Sequence, residues 1–126
     1  MIGYVMFGSN NIKESTNFYD LVLTHLDIIK VETGDKYVGY ASSKNPEKVI
    51  FYITKPYNNK TASYGNGTML ALRAKSNVIV DQCHATALNK GAVNEGFPGL
   101  RDGYGNIYYS YFRDLDNNKI CIYSDN

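Results

Sequence analysis

Lys119-Ile120-Cys121-Ile122-Tyr123, near the end of the chain, repeats the pattern of Lys48-Val49-Ile50-Phe51-Tyr52 near its middle. Each run sets a lysine before four residues that read as an apolar strand. Working backwards from each run uncovers the same order of elements twice. The first half opens with the apolar stretch Ile2 to Phe7, stopped by Gly8-Ser9-Asn10. A helix follows, with Asn11 placed to cap it and Glu14 three residues on, close to a capping box. Ile12, Tyr19, Val22 and Leu26, with Phe18 and Leu23 beside them, form its apolar stripe. Ile28 to Glu32, Tyr37 to Ala41 and Lys48 to Thr54 are three short strands separated by turn formers.

The order then restarts. Lys55-Pro56-Tyr57-Asn58-Asn59-Lys60 is polar and turn-rich, and marks the internal boundary. Thr68 to Ala74 is a second opening strand, and Ser76 or Asn77 caps a second helix that runs to Lys90 and stops at Gly91. Val80, Cys83, Ala87 and Leu88 are its buried stripe. A Gly- and Pro-containing loop follows, then the strand Ile107 to Arg113, a turn at Asp114-Leu115-Asp116-Asn117-Asn118, and the closing strand Lys119 to Tyr123. Gly3-Tyr4 opens one half and Gly67-Thr68 the other. A repeat of roughly sixty residues is too long for a solenoid unit. The expectation is an α+β fold of two tandem βαβββ modules, module one over residues 1–60 and module two over 61–126, in a single domain.

Composition narrows the function classes. A chain of 126 residues is large enough for one real core. Its formal net charge of +1 supplies no field for nucleic acid or an anionic membrane, so neither is expected as a partner. The opening strand has no positive leader, no stretch approaches membrane-spanning length, and the default location is cytoplasmic. Twelve tyrosines with no tryptophan is the unusual figure, and phenols give a pocket both an apolar wall and a polar tip. Cys83 and Cys121 are far apart and form no CxxC pair, which removes zinc-ribbon and thioredoxin-like readings. Asp114 to Asn118 resembles a calcium loop only superficially, because Lys119 stands where an EF-hand needs glycine. Neither Gly65-Asn66-Gly67 nor Gly103-Tyr104-Gly105 completes a phosphate loop.

Two segments carry a family resemblance. Gly8-Ser9-Asn10-Asn11-Ile12-Lys13-Glu14-Ser15 followed by Phe18-Tyr19 resembles the strand-to-helix turn of glyoxalase, bleomycin-resistance and extradiol dioxygenase proteins, the vicinal oxygen chelate superfamily. Tyr111-Phe112-Arg113-Asp114-Leu115-Asp116-Asn117-Asn118-Lys119-Ile120 resembles their last hairpin, with Leu115 for the usual Pro and Asn117 for the usual Gly. Asparagine tolerates a left-handed backbone, so the turn should form. Residues 65–69 and 95–101 are similar to a Gly-Asn-Gly-Thr-Met segment and a Glu-Gly-x-Pro-Gly-x-Arg loop of a small bacterial subgroup. The resemblance implies a curved, incomplete barrel-like sheet around a cavity, with helices on the far side of the sheet. It also implies metal ligands on the first and last strands of each half. Carried over residue by residue, those positions hold Tyr4, Ile50, Thr68 (or Met69 if the register slips) and Cys121. None is a His, Asp, Glu or Gln, so no metal and no cofactor is expected.

The candidate cavity residues follow from strand alternation and from the same resemblance. Tyr109, Tyr111 and Cys121 share one face, joined by Tyr4 and Met6 from the first strand and by Thr68 and Leu70 from its repeat. The long glycine-rich loop Asn94 to Gly105 adds Glu95 and Arg101, the latter suited to a carboxylate or phosphate. His84 and His25 lie in the helices and read as packing and helix-end residues. Cys121 reads as an inert thiol, since no adjacent base is visible. The leading expectation is a metal-independent protein that binds a small organic ligand of unknown identity, acting by sequestration or as an enzyme. The alternative is a metal-dependent lyase or isomerase of glyoxalase type that uses Cys121 or Glu95 as unorthodox ligands; a structural or partner-binding module is the third. An exposed sheet edge and the resemblance both point to a homodimer.

Overall fold

The computed structural model describes all 126 residues, in the order β1 (Val5–Gly8), α1 (Ile12–Thr24), β2 (Ile28–Thr33), β3 (Tyr37–Ser42), β4 (Val49–Thr54), β5 (Leu70–Arg73), α2 (Asn77–Asn89), β6 (Val93–Gly99), β7 (Tyr108–Arg113) and β8 (Lys119–Ser124). Two four-stranded mixed sheets result, ordered β1-β4-β3-β2 and β5-β8-β7-β6. In each, the first strand pairs parallel with the last, and the other pairs are antiparallel. The βαβββ duplication is therefore present in strand order as well as in sequence. The sheets are not closed, and no strand of one pairs with a strand of the other. No helix is long and apolar enough to cross a membrane.

The local signals act where residue identity places them. Asn11 caps α1, its Oδ1 accepting from the Glu14 amide at 3.1 Å. Glu14 does not complete the capping box, because Ser9 Oγ already takes the Asn11 amide at 3.1 Å. Ser76 caps α2 and Gly91 follows it with φ +105°. Asn117 adopts φ +66°, the left-handed residue the hairpin needs in place of glycine.

One strand is not legible in the sequence. Residues 93–99 read as the beginning of a loop, yet they form β6 against β7. Glycine and proline weaken strand propensity, but a ready partner edge overrides it, with register shifts at Gly96 and Gly99 absorbing the misfit.

Both helices and the inner faces of both sheets meet in one cluster of sixteen buried residues. Phe7, Val38, Tyr40, Phe51 and Ile53 come from the first sheet, and Phe112, Ile120 and Ile122 from the second. Phe18 of α1 meets Phe112 edge-on with ring centres 6.0 Å apart, and His25 Nε2 lies 2.9 Å from Thr86 Oγ1. The modules are thus joined through their helix sides, and the opposite faces of the two sheets turn away from the shared core.

The hairpin turn of module two locks this arrangement. Asp114 is buried, and its Oδ1 accepts from the amides of Asp116 and Asn118. Its Oδ2 accepts from Asn118 Nδ2 and from the Tyr19 hydroxyl of α1. Asn118 Nδ2 also donates to the Gly8 carbonyl, and Asp116 Oδ1 accepts from the Asn10 amide. The stretch that superficially resembles a calcium loop is a clasp holding the β1–α1 turn of the other module.

Candidate functional site

The outward faces of the two sheets carry the candidate site. On module one, Met6 pairs with Tyr52 and Tyr37 pairs with Thr54, all on the face away from the core. Tyr4 continues that face and meets Tyr52 edge-on at 5.1 Å. Tyr4 and Met6 are 58% and 49% exposed, high for large apolar side chains on a sheet. With Glu32 they line a shallow groove of about 260 Å³. Glu32 Oε2 stands 3.5 Å from the Tyr52 hydroxyl, and burial and this carboxylate both raise the Tyr52 pKa above its ordinary value.

On module two the cross-strand pairs Tyr109–Tyr123, Tyr111–Cys121 and Arg113–Lys119 define the equivalent wall. Tyr109 and Tyr111 stack with rings 11° from parallel and centres 5.9 Å apart. Arg101 lies over the Tyr111 ring at 5.5 Å, and the Lys119 ammonium approaches the same ring at 5.4 Å. Arg101 is held by its own loop, donating to the carbonyls of Phe97 and Gly99. Gly96 makes room for it: a Cβ there would meet Tyr111 Cδ2 at 2.9 Å and Arg101 Nη2 at 3.0 Å. Cys121 is fully covered, and burial pushes its thiol up to about 11, so thiolate chemistry near neutral pH is not available to it. Glu95 is bonded to Arg113, which lowers its carboxyl pKa below the ordinary value.

Of the residues expected to line a cavity, Tyr4 and Met6 share the wall of module one, while Tyr109, Tyr111, Cys121 and Arg101 share that of module two, with Glu95 at its edge. Two are placed differently. Leu70 pairs with buried Ile120 and packs against the core. Thr68 precedes β5, where its amide closes a turn onto the Gly65 carbonyl. The register slips by one, so Ala71 stands beside Cys121, and by alternation Met69 follows it on that wall. Ile50 is displaced by a similar cause. A bulge opposite Tyr40 and Ala41 turns Ile50 to the core and sets Val49 against Gly39 on the outward face. Sequence reading misses Tyr37, Tyr52, Glu32, Tyr123 and Lys119. Alternation along Cys121's own strand would have found Lys119 and Tyr123; Tyr37, Tyr52 and Glu32 depend on strand pairing, which bulges shift in module one.

The donor chemistry of these walls does not fit a divalent metal. Phenols, thioethers and a high-pKa thiol dominate, and no three His, Cys, Asp or Glu side chains of the chain come together in a group that could hold an ion. His84 lies on the core side, fully buried, its Nε2 3.0 Å from Asn94 Oδ1. A larger cleft of about 630 Å³, between the β1–α1 turn and Lys55 to Thr61, has only one apolar residue in its lining and none of these groups.

The chain is 35% identical to a glyoxalase/bleomycin resistance protein from Albidiferax ferrireducens T118, over 98% of both chains, with a TM-score of 0.86. It belongs to the glyoxalase/bleomycin resistance protein family, within the vicinal oxygen chelate superfamily. A glyoxalase-related enzyme from Fulvimarina pelagi shares the fold at 14% identity and a TM-score of 0.79, over 99% of this chain and 88% of that one. The fosfomycin resistance protein FosX of Listeria monocytogenes shares it at 13% identity and 0.70, over 100% and 93%. No protein-family model and no curated protein matches the sequence.

Proposed function

We propose that the chain is a metal-independent small-molecule-binding protein of its family, with a binding cavity completed when two copies pair. The observation that carries this reading is the pair of open, tyrosine-lined walls. Within one chain they turn away from each other, so neither encloses a ligand. Pockets that hold small organic molecules are concave and mostly apolar with a few placed polar groups. Laying the module-one wall of one copy over the module-two wall of another would create that enclosure and cover Tyr4, Met6 and Tyr37. The charges also complement each other: Glu32 is the charged strand residue of the first wall, whereas Arg101 and Lys119 stand on the second without a salt bridge.

The alternative, a metal-dependent glyoxalase-type lyase or isomerase with Cys121 or Glu95 as ligands, draws no support from their surroundings. Cys121 is covered with a raised pKa, and Glu95 is engaged by Arg113. Equilibrium sedimentation should show dimers at micromolar concentration, and Tyr4→Glu should shift the chain to monomer. Protein soaked with zinc, nickel and iron, then desalted, should retain far less than one ion per chain. A monomer at high micromolar concentration would defeat the paired cavity, and a stoichiometric ion would defeat metal independence.

A further inference from the structure

Module two's wall gathers two cations at one tyrosine ring; module one's wall has Lys36 and Lys55 at its rim beside Met6, but no cation over a ring. The role of module two's wall in recognising a ligand rests on the proposed function, in which this wall faces the bound molecule. Four cations stand on it or at its rim. Arg113 is paired with Glu95 and Arg73 with Asp125. Arg101 and Lys119 form no salt bridge, the nearby Glu95 carboxylate being bound by Arg113 and only felt by Lys119 through space, yet both are drawn against one phenol ring, Tyr111. Two like charges beside one half-buried ring repel each other unless an anion joins them. Arg101 is also positioned in advance. Carbonyls of Phe97, Gly99 and Leu100 bind its terminal nitrogens, and the missing Cβ of Gly96 lets it lie against the strand. Its Nε–H makes no hydrogen bond within the chain, and neither does the Lys119 ammonium. The donors left free on a guanidinium already held in place favour binding, because little of its freedom remains to be lost.

We infer that Arg101 and Lys119 form an oxyanion seat above Tyr111, and that the ligand is a small planar molecule carrying a carboxylate or phosphate group. The anion bridges guanidinium and ammonium, and the planar body lies along the stacked rings of Tyr109 and Tyr111. Glu32 would disfavour a second negative charge at the far end of such a ligand, so one anionic end and one neutral end is the fitting chemistry. Carboxylate and phosphate share this recognition, and the guanidinium fork accepts either.

The test uses the full chain and three probes: benzoate, phenyl phosphate and the neutral isostere benzamide. Tyrosine fluorescence reads binding directly, because the chain has no tryptophan. One or both anions should bind at least tenfold more tightly than benzamide, benzoate leading if carboxylate is the natural group and phenyl phosphate if phosphate is. Lys119→Met should remove most of that preference while leaving the circular dichroism spectrum unchanged, since the ammonium holds no part of the fold. Arg73→Met, a cation on the same wall already paired with Asp125, should leave it intact. Benzamide binding as tightly as both anions would overturn the oxyanion seat and leave the small-molecule reading standing, as would a Lys119→Met protein that keeps the preference. No saturable binding of any probe would overturn both.

Discussion

Tyr19 and His84 occupy the same place in the duplication, each the eighth residue of a thirteen-residue helix. Both are buried and both use their polar tip, but in opposite directions. Tyr19 reaches across to Asp114 in the hairpin of the other module. His84 stays at home, bonded to Asn94 at the start of β6, and its Nδ1 finds no partner. Duplication copied the scaffold, and divergence set Tyr19 as a bridge between modules and His84 as a local brace. The hairpins show the same asymmetry. Module two's turn is a buried clasp on module one. Module one's β3–β4 turn makes no such bond to module two; the turn before α2 reaches module one only through an exposed ion pair, Lys75 Nζ to Asp27 Oδ2 at 3.0 Å.

The bridge should be the more costly to break. Tyr19→Phe removes one donor to a buried carboxylate while keeping the ring's packing, and should destabilise the fold by about 1.5–3 kcal/mol. Urea unfolding measures this, and a loss below about 0.5 kcal/mol would show that the clasp does not couple the modules.

His84 tests the brace through pH. Burial pulls its pKa below the ordinary 6.5, opposed in part by the Asn94 hydrogen bond. The unfolded chain therefore takes up this proton first as pH falls. Stability is complete above about pH 6.5 and declines below it, until the folded-state pKa is reached. The wild-type Tm should fall more steeply between pH 6.5 and 5 than that of His84→Gln, and parallel curves would contradict the assignment. Lys75→Met is the smallest of the three. Both partners are exposed, and screened pairs of this kind contribute little, so its Tm should equal that of the wild type. A clear drop would mean that the modules are linked symmetrically after all.

The same asymmetry explains which features the sequence discloses. Asn11, Ser76, Gly91 and Asn117 act on backbone groups within a few residues of themselves, so their identity is enough to predict their role. The apolar stripes of α1 and α2 are similarly local. Leu70 and Ile50 face the core against expectation because strand faces depend on register, and a slip of one residue inverts a whole strand. Both departures trace to a long-range event: the pairing of β5 with β8 and the bulge between β3 and β4. The wall residues Tyr109, Tyr111 and Cys121 are legible because their hairpin sets its own register.

By itself the sequence determined the duplication, the order of elements and their caps, since each rests on residue identity and short-range spacing. Only the tertiary structure decided that the tyrosine walls turn away from each other, that β6 forms at all, and that Arg101 and Lys119 meet at one ring. Those outcomes depend on partners that are distant in the chain. The clasp illustrates the distance, with Asp114 and Tyr19 separated by 95 residues and Asn118 and Gly8 by 110. No local propensity selects such pairs; they exist because packing the two helices into one core brings the hairpin of one module onto the first turn of the other.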